Sequence, residues 1–308
     1  MKRLRVMDLV PAEPAPLSTD DPEAFVDAWR QWHHLCQAIA EVGKSWGDPK
    51  ADDSHSTLGY WPGNGNFYSS AEGAGVQAGW QVAPPHVDVT KAKDNEPWQS
   101  ATLEYDGLTV AEVTAWVRAQ AERFAGPPRQ ASVPAPDLPD HPVADGEPLS
   151  YSGETGAVYN HYVWTQLLLE RLAEALDPEM TGEHDLSIHI WPHHFDLASL
   201  YVADRDGGGS MTKTIGVGLT PPDTVEASGY WYVSPWSKTE LAAPFATPEL
   251  PIGRWVDRGG VAMAVLPLSD VWAIADDHGT DEADIAQCVA VSEFVAAAFN
   301  ACADAIGV

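Results

Sequence analysis

The densest group of side chains able to do chemistry lies in Ile188 to Asp196, IHIWPHHFD, which holds His189, His193, His194 and Asp196. In an extended strand alternate residues share a face, so His194 and Asp196 are expected to converge while His193 points the other way. Pro192 interrupts the ladder, and a bulge there would let His193 join them. A His-x-Asp pair offers one neutral nitrogen and one anionic oxygen, the start of a facial site that zinc or ferrous iron accepts once a third ligand arrives. The pair also fits a hydrogen-bonded couple at a sheet end, or a metal-free dyad whose oriented imidazole serves as general base. All three readings remain open on the sequence.

The third ligand is expected from Asp52 to Gly59, DDSHSTLG, where His55 sits between hydroxyls and follows two carboxylates; a solvent-exposed loop is the plainer reading. Asp223, in GVGLTPPD, leaves a strand through two prolines that fix its exit direction, and either orients a histidine, ligates a metal or caps a turn. His33 and His34 are helix neighbours pointing about 100° apart, so they cannot chelate one ion together. His161 reads as a core residue on an aromatic helix. His278 stands among Asp276, Asp277 and Asp281, and no Arg or Lys follows to hold the cosubstrate of an iron and 2-oxoglutarate oxygenase. Of thirteen tryptophans, Trp46, Trp61, Trp98 and Trp236 fall in loops, where aromatic faces either bind sugars and other flat ligands or anchor the loop. No Ser-His-Asp elbow and no phosphate-binding glycine loop occurs, so no nucleotide is expected.

The elements that must position these groups follow from period and punctuation. Asp20 or Asp21 caps a first helix, Pro22 opens it, Phe25, Trp29, Trp32, Cys36 and Ile39 form its apolar face, and Gly43 and Gly47 end it. Residues 51–105 break into short runs, with one strand from Ser100 to Tyr105. Helices are expected over Thr109–Phe124, Gly156–Leu176 and Asp281–Ile306, the last with a buried stripe of Ile285, Cys288, Val291, Val295, Phe299 and Cys302. Between the last two lie strands at 186–191, 195–202, 213–219, 230–233 and 260–266, with DRDGGGS at Asp204 as a hairpin turn. The class is therefore α+β, mainly antiparallel sheet with packed helices, and two similar halves are expected: residues 1–125, a proline-rich connection over 126–150, and 151–308.

Charge narrows the partners. With 45 acidic residues against 17 basic, the formal charge is −28, which opposes binding to nucleic acid or to anionic membrane surfaces. Only seven basic residues are Lys, a balance that suits a protein kept soluble in concentrated salt and that a GC-rich genome also produces. Cys36, Cys288 and Cys302 have no metal-type spacing; the last two lie roughly 21 Å apart along one helix, too far to bridge. They read as core residues of a reducing compartment. No leader of signal-peptide form and no membrane-length apolar window is read, so a cytoplasmic location is expected.

Four phrases together, DDSHSTLG, WPHHFDLASL, IGVGLTPPD and YWYVSPW, resemble a family of bacterial proteins of roughly this length, for which the resemblance supplies no reaction. The likeness spans most of the chain, including DGLTVAEVTAWV at Asp106 and AVLP at Ala264. It implies that His55, His193, His194, Asp196 and Asp223 belong to one set of recurring motifs and so to one site. Where relatives carry Ser-Pro-Gly-Asp this chain has Thr220, Pro221, Pro222 and Asp223, and after Trp255 it lacks the usual His.

The leading expectation is a cytoplasmic protein in which His55, His194 and Asp196 bind a divalent metal, zinc or iron, that activates water for hydrolysis of a small molecule. His193 and Asp223 would orient ligands or shuttle a proton. The competing expectation is a non-catalytic protein that binds a small molecule or sugar, with the same histidines donating hydrogen bonds and tryptophans lining a groove.

Overall fold

The computed structural model describes residues 3–10, 16–50, 53–61, 66–91, 98–130, 136–176, 188–239, 247–275 and 280–308. The glycine-rich tip of GYWPGNGN, Asp52, and His278 with its acidic neighbours Asp276 and Asp277 lie outside them. The chain forms two compact units: an N-terminal one of Asp21–Tyr159 with His189–Asp196, and a C-terminal one of Met1–Asp20, Asn160–Ile188 and Leu197–Val308.

In the N-terminal unit the helix α2 (Pro22–Trp46), which follows a short α1 (Val6–Leu9), starts where the sequence places it. The Asp21 carboxylate accepts from the backbone N–H groups of Glu23 and Ala24, both at 3.1 Å, and Pro22 occupies the position that needs no N–H. The next helix, α3 (Val110–Ala125), opens on a reciprocal Thr109–Glu112 capping box and ends at Gly126, whose φ of 82° favours glycine. Between them runs an antiparallel meander, β1 (Gly59–Trp61), β2 (Asn66–Ala71), β3 (Val76–Gln81), β4 (His86–Lys91) and β5 (Gln99–Glu104), in sequential order. One register row, Tyr60, Phe67, Trp80, Val87 and Leu103, faces the helices. Phe67 and Trp80 stack at 4.2 Å, and Trp32 of α2 meets both rings edge-on at 5.5 Å. Such aromatic contacts add to what area burial alone supplies.

The proline-rich connection is fastened to α2. His34 Nε2 meets the Pro139 carbonyl at 2.9 Å, His141 Nε2 meets Asp27 Oδ1 at 2.9 Å, and Ser150 N donates to Gln31 Oε1 at 2.9 Å. The expected 100° divergence of His33 and His34 is seen in their separate partners.

The C-terminal unit takes most of α4 (Thr155–Ala175) and antiparallel strands in the order β10-β11-β9-β8-β7; β6, whose residues His189–Trp191 belong to the N-terminal unit, is numbered with them. These strands are β6 (Ile188–Trp191), β7 (Asp196–Arg205), β8 (Met211–Thr220), β9 (Tyr230–Ser237), β10 (Arg254–Arg258) and β11 (Val261–Pro267). The DRDGGGS stretch is the expected hairpin turn: Asp206 Oδ1 accepts from Gly208 and Ser210, and Gly209 has φ 83°. Leu197, Leu219, Trp231 and Leu266 align across four strands and are buried, with Trp231 Nε1 donating to Thr165 Oγ1 of α4 at 3.0 Å. His161 is fully buried and stacks on Trp231. Two helices close the chain, α5 (Leu268–Ala275) and α6 (Thr280–Ile306), the second packing on β8 and β9.

The fold is thus α+β with two mainly antiparallel sheets, as the sequence predicts, and both units run from a helix through a meander to a helix. Several details differ. Strands β1 to β4, β10 and helix α5 are additions to the expected elements. The stripe on α6 is buried at Cys288, Val291, Val295, Phe299 and Cys302, but Ile285 is 54% exposed, because the stripe begins one turn later. The segment Glu282–Ile306 does have the length and composition to cross a membrane, contrary to the expectation of no such window; 61% of its apolar 18-residue window is buried inside the protein, as in an ordinary core helix.

Candidate functional site

The WPHHFD motif is a turn, and this corrects the strand-parity expectation. Ladder β6 stops at Trp191, whose carbonyl accepts from both His194 N (3.1 Å) and Phe195 N (2.6 Å), and β7 starts only at Asp196. Pro192 has no N–H to continue the pairing, so the chain reverses and strand alternation no longer sorts the side chains. His193 and His194 consequently sit side by side, exposed, with ring centroids 4.3 Å apart. Asp196 is buried at the head of β7 and His194 lies in the turn before it, so the two share no strand face.

Helix α2 holds the turn from beneath. Its residues His33, Cys36, Gln37 and Lys44 share one face by helical spacing. His33 Nε2 contacts the Pro192 carbonyl at 3.2 Å, Gln37 Nε2 donates to it at 2.5 Å, and the Cys36 thiol points at it from 3.7 Å. Phe195 completes the seat. It has φ 55°, a left-handed conformation that costs a bulky residue on the order of 1–3 kcal/mol, yet it is fully buried, stacked 5.6 Å from the His33 ring and near Phe67 and Trp80.

The early polar stretch pairs with β6, which leads into this turn. Leu58 and Ile190 exchange two backbone hydrogen bonds, at 2.9 and 2.8 Å, and Thr57 Oγ1 lies 3.3 Å from His189 Nδ1. The His55 carbonyl rests against α2 at Gly43, where a Cβ would stand 2.3 Å from that oxygen; only glycine allows the approach. His55 Nδ1 accepts from Lys50 N at 3.3 Å, which leaves the proton of a neutral ring on Nε2. Among the described residues, however, no group of three His, Cys, Asp or Glu side chains is arranged to hold a metal.

Asp223 is in the C-terminal unit, where its carboxylate closes a turn. It accepts from Val225 N at 2.7 Å and from the Tyr230 hydroxyl at 3.0 Å. That is the turn-capping alternative of the sequence reading, in a turn that Pro222 enters directly before Asp223.

Comparison with known proteins returns no match. No family model matches the chain, and no curated protein or solved structure is similar to it at a significant level.

Electrostatics then defines what the turn can do. Burial and the neighbouring His34 push the His33 pKa down to about 4, against the pull of the Pro192 and His193 carbonyls, so His33 is neutral at physiological pH. The His193 pKa is lowered by partial burial, by His194 and by Lys44, while Asp53 raises it. Burial also raises the Cys36 pKa well above that of an ordinary thiol, which makes it inert, and the other two cysteines are buried and not in disulfides. The residues that sequence reasoning missed are His33, Gln37 and Lys44; their common helix face was the available signal. Two of the tryptophans expected in loops lie in regular elements instead: Trp46 ends α2 and is buried with Nε1 on the Gly126 carbonyl, and Trp236, in β9, is 47% exposed, while Trp98 is 65% exposed.

Proposed function

We propose that the protein binds a small molecule at the Pro192–Phe195 turn, with His193 and His194 as the contacting side chains. The observation that carries this reading is the turn itself: a strained, fully buried Phe195 and the His33, Cys36 and Gln37 side chains on the Pro192 carbonyl hold two adjacent imidazoles at the surface. Strain of this kind persists where the surroundings over-determine it, and sites of binding are where it concentrates. A lowered pKa keeps His193 neutral near pH 7, so its ring both accepts and donates hydrogen bonds.

A metal-dependent, hydrolase-like reading is favoured by one observation, the adjacency of His193 and His194, since metal ligation needs neutral imidazoles. It requires a third ligand to move in. Native mass spectrometry and elemental analysis of untagged protein separate the two. A retained small molecule, lost in His193→Gln/His194→Gln, supports binding; stoichiometric zinc or iron lost in the same variant supports the metal reading and overturns the first.

A further inference from the structure

The cation that the proposed site leaves unused is Lys44. Its side chain runs back along α2, so that Nζ lies 3.1 Å from Gln37 Oε1, and Gln37 in turn donates to the Pro192 carbonyl at the base of the turn. The ammonium is half-buried, and its charge is felt at His193. Several other cations in this acidic chain have carboxylate partners: Arg3 with Asp304 at 2.7 Å, Arg129 with Asp48 at 3.0 Å, Lys238 with Asp206 at 3.0 Å, and Arg254 with Glu226. Among the described residues Lys44 has no carboxylate at ion-pair distance. Glu41, the nearest along the helix, is bound to the Ser45 hydroxyl at 2.6 Å and to Arg118.

An ammonium has three N–H donors, and Gln37 takes one. A half-buried ammonium whose carboxylate neighbour, Glu41, is already held by Arg118 and Ser45 is a costly arrangement unless something supplies further opposite charge. The exposed rings of His193 and His194 stand at the same turn and supply further N–H groups. We propose that Lys44, His193 and His194 together receive a small oxyanion, the carboxylate or phosphate group of the bound molecule. The inference rests on the turn being the ligand site and adds the ligand's class. The net charge of −28 does not forbid it, because exposed charges beyond about 8 Å are largely screened at physiological ionic strength and the local cations decide. Asp53 already draws His193 toward its protonated form, and an oxyanion would act in the same sense.

The test uses inorganic phosphate, acetate and a panel of neutral sugars and amides as probes, at constant ionic strength with chloride as balance, reading the imidazole nitrogen resonances of the full chain. Phosphate or acetate is expected to shift His193 and His194 saturably and to raise the His193 pKa. Lys44→Met is expected to weaken that binding about tenfold, as loss of a charge-assisted contact does, while Lys44→Arg retains it. Should Lys44→Met fail to fold, the pKa rise in the wild-type protein decides alone. Shifts from neutral probes with none from either anion would overturn the oxyanion inference and leave the turn as a site. Silence from every probe would overturn both.

Discussion

His33 Nε2 on α2 meets the Pro192 carbonyl oxygen at 3.2 Å, across 159 residues of chain. This contact joins the first helix to the motif that carries the adjacent imidazoles, and its chemistry makes it sensitive to acid. His33 is buried and neutral, with a pKa pushed down to about 4, so the unfolded chain takes up this proton more readily than the native one. Stability is therefore expected to fall as pH drops from about 6.5 toward 4, by on the order of 3 kcal/mol from this residue, with His34 and His193 acting in the same direction. Urea unfolding across that window checks it. His33→Gln should flatten the acid limb, and an unchanged limb would refute the assignment.

Gly43 offers a test by sign. Within a helix, Gly→Ala ordinarily stabilises by up to about 1 kcal/mol. Here the new Cβ would lie 2.3 Å from the His55 carbonyl oxygen, so Gly43→Ala is expected to destabilise by about 1–3 kcal/mol and to displace the His55 segment. Thermal melting and the amide spectrum of residues 53–58 read both effects; a stabilised variant would contradict the contact.

Phe195 reverses another ordinary order. Removing its ring should cost several kcal/mol in either small variant, since it is fully buried. At φ 55°, however, Phe195→Gly is expected to be about 1 kcal/mol more stable than Phe195→Ala, although glycine is normally the worse of the two. Chemical denaturation of both variants settles the order.

Those residues also mark how far the sequence can be read. Asp21 with Pro22 and Thr109 with Glu112 announce their helices because caps are local chemistry. Strands β2 to β4 were not legible: Ser69 and Ala71 are as buried as Phe67, and Gly79 carries no pattern. His193 and His194 stand out by composition, but strand parity misplaces them, because one proline turns a strand into a reversal. The face formed by His33, Gln37 and Lys44 becomes informative only once Pro192 is known to lie against it.

The overall charge leads to a further expectation. At −28 the native state repels itself, and salt screens that repulsion. The melting temperature should rise between about 10 mM and 1 M sodium chloride. A flat or falling trend would show that the acidic residues are already balanced locally by pairs such as Lys238 with Asp206.

The most direct measurement is the melting temperature of wild-type protein and of His193→Gln/His194→Gln across one panel of small metabolites containing both acids and neutral compounds. A ligand that binds only the native state raises the wild-type melting temperature by mass action. At least one compound, an acid, is expected to do so in the wild type and to lose the effect in the variant. Stabilisation that survives in the variant would place the binding site elsewhere and contradict the assignment of the Pro192–Phe195 turn.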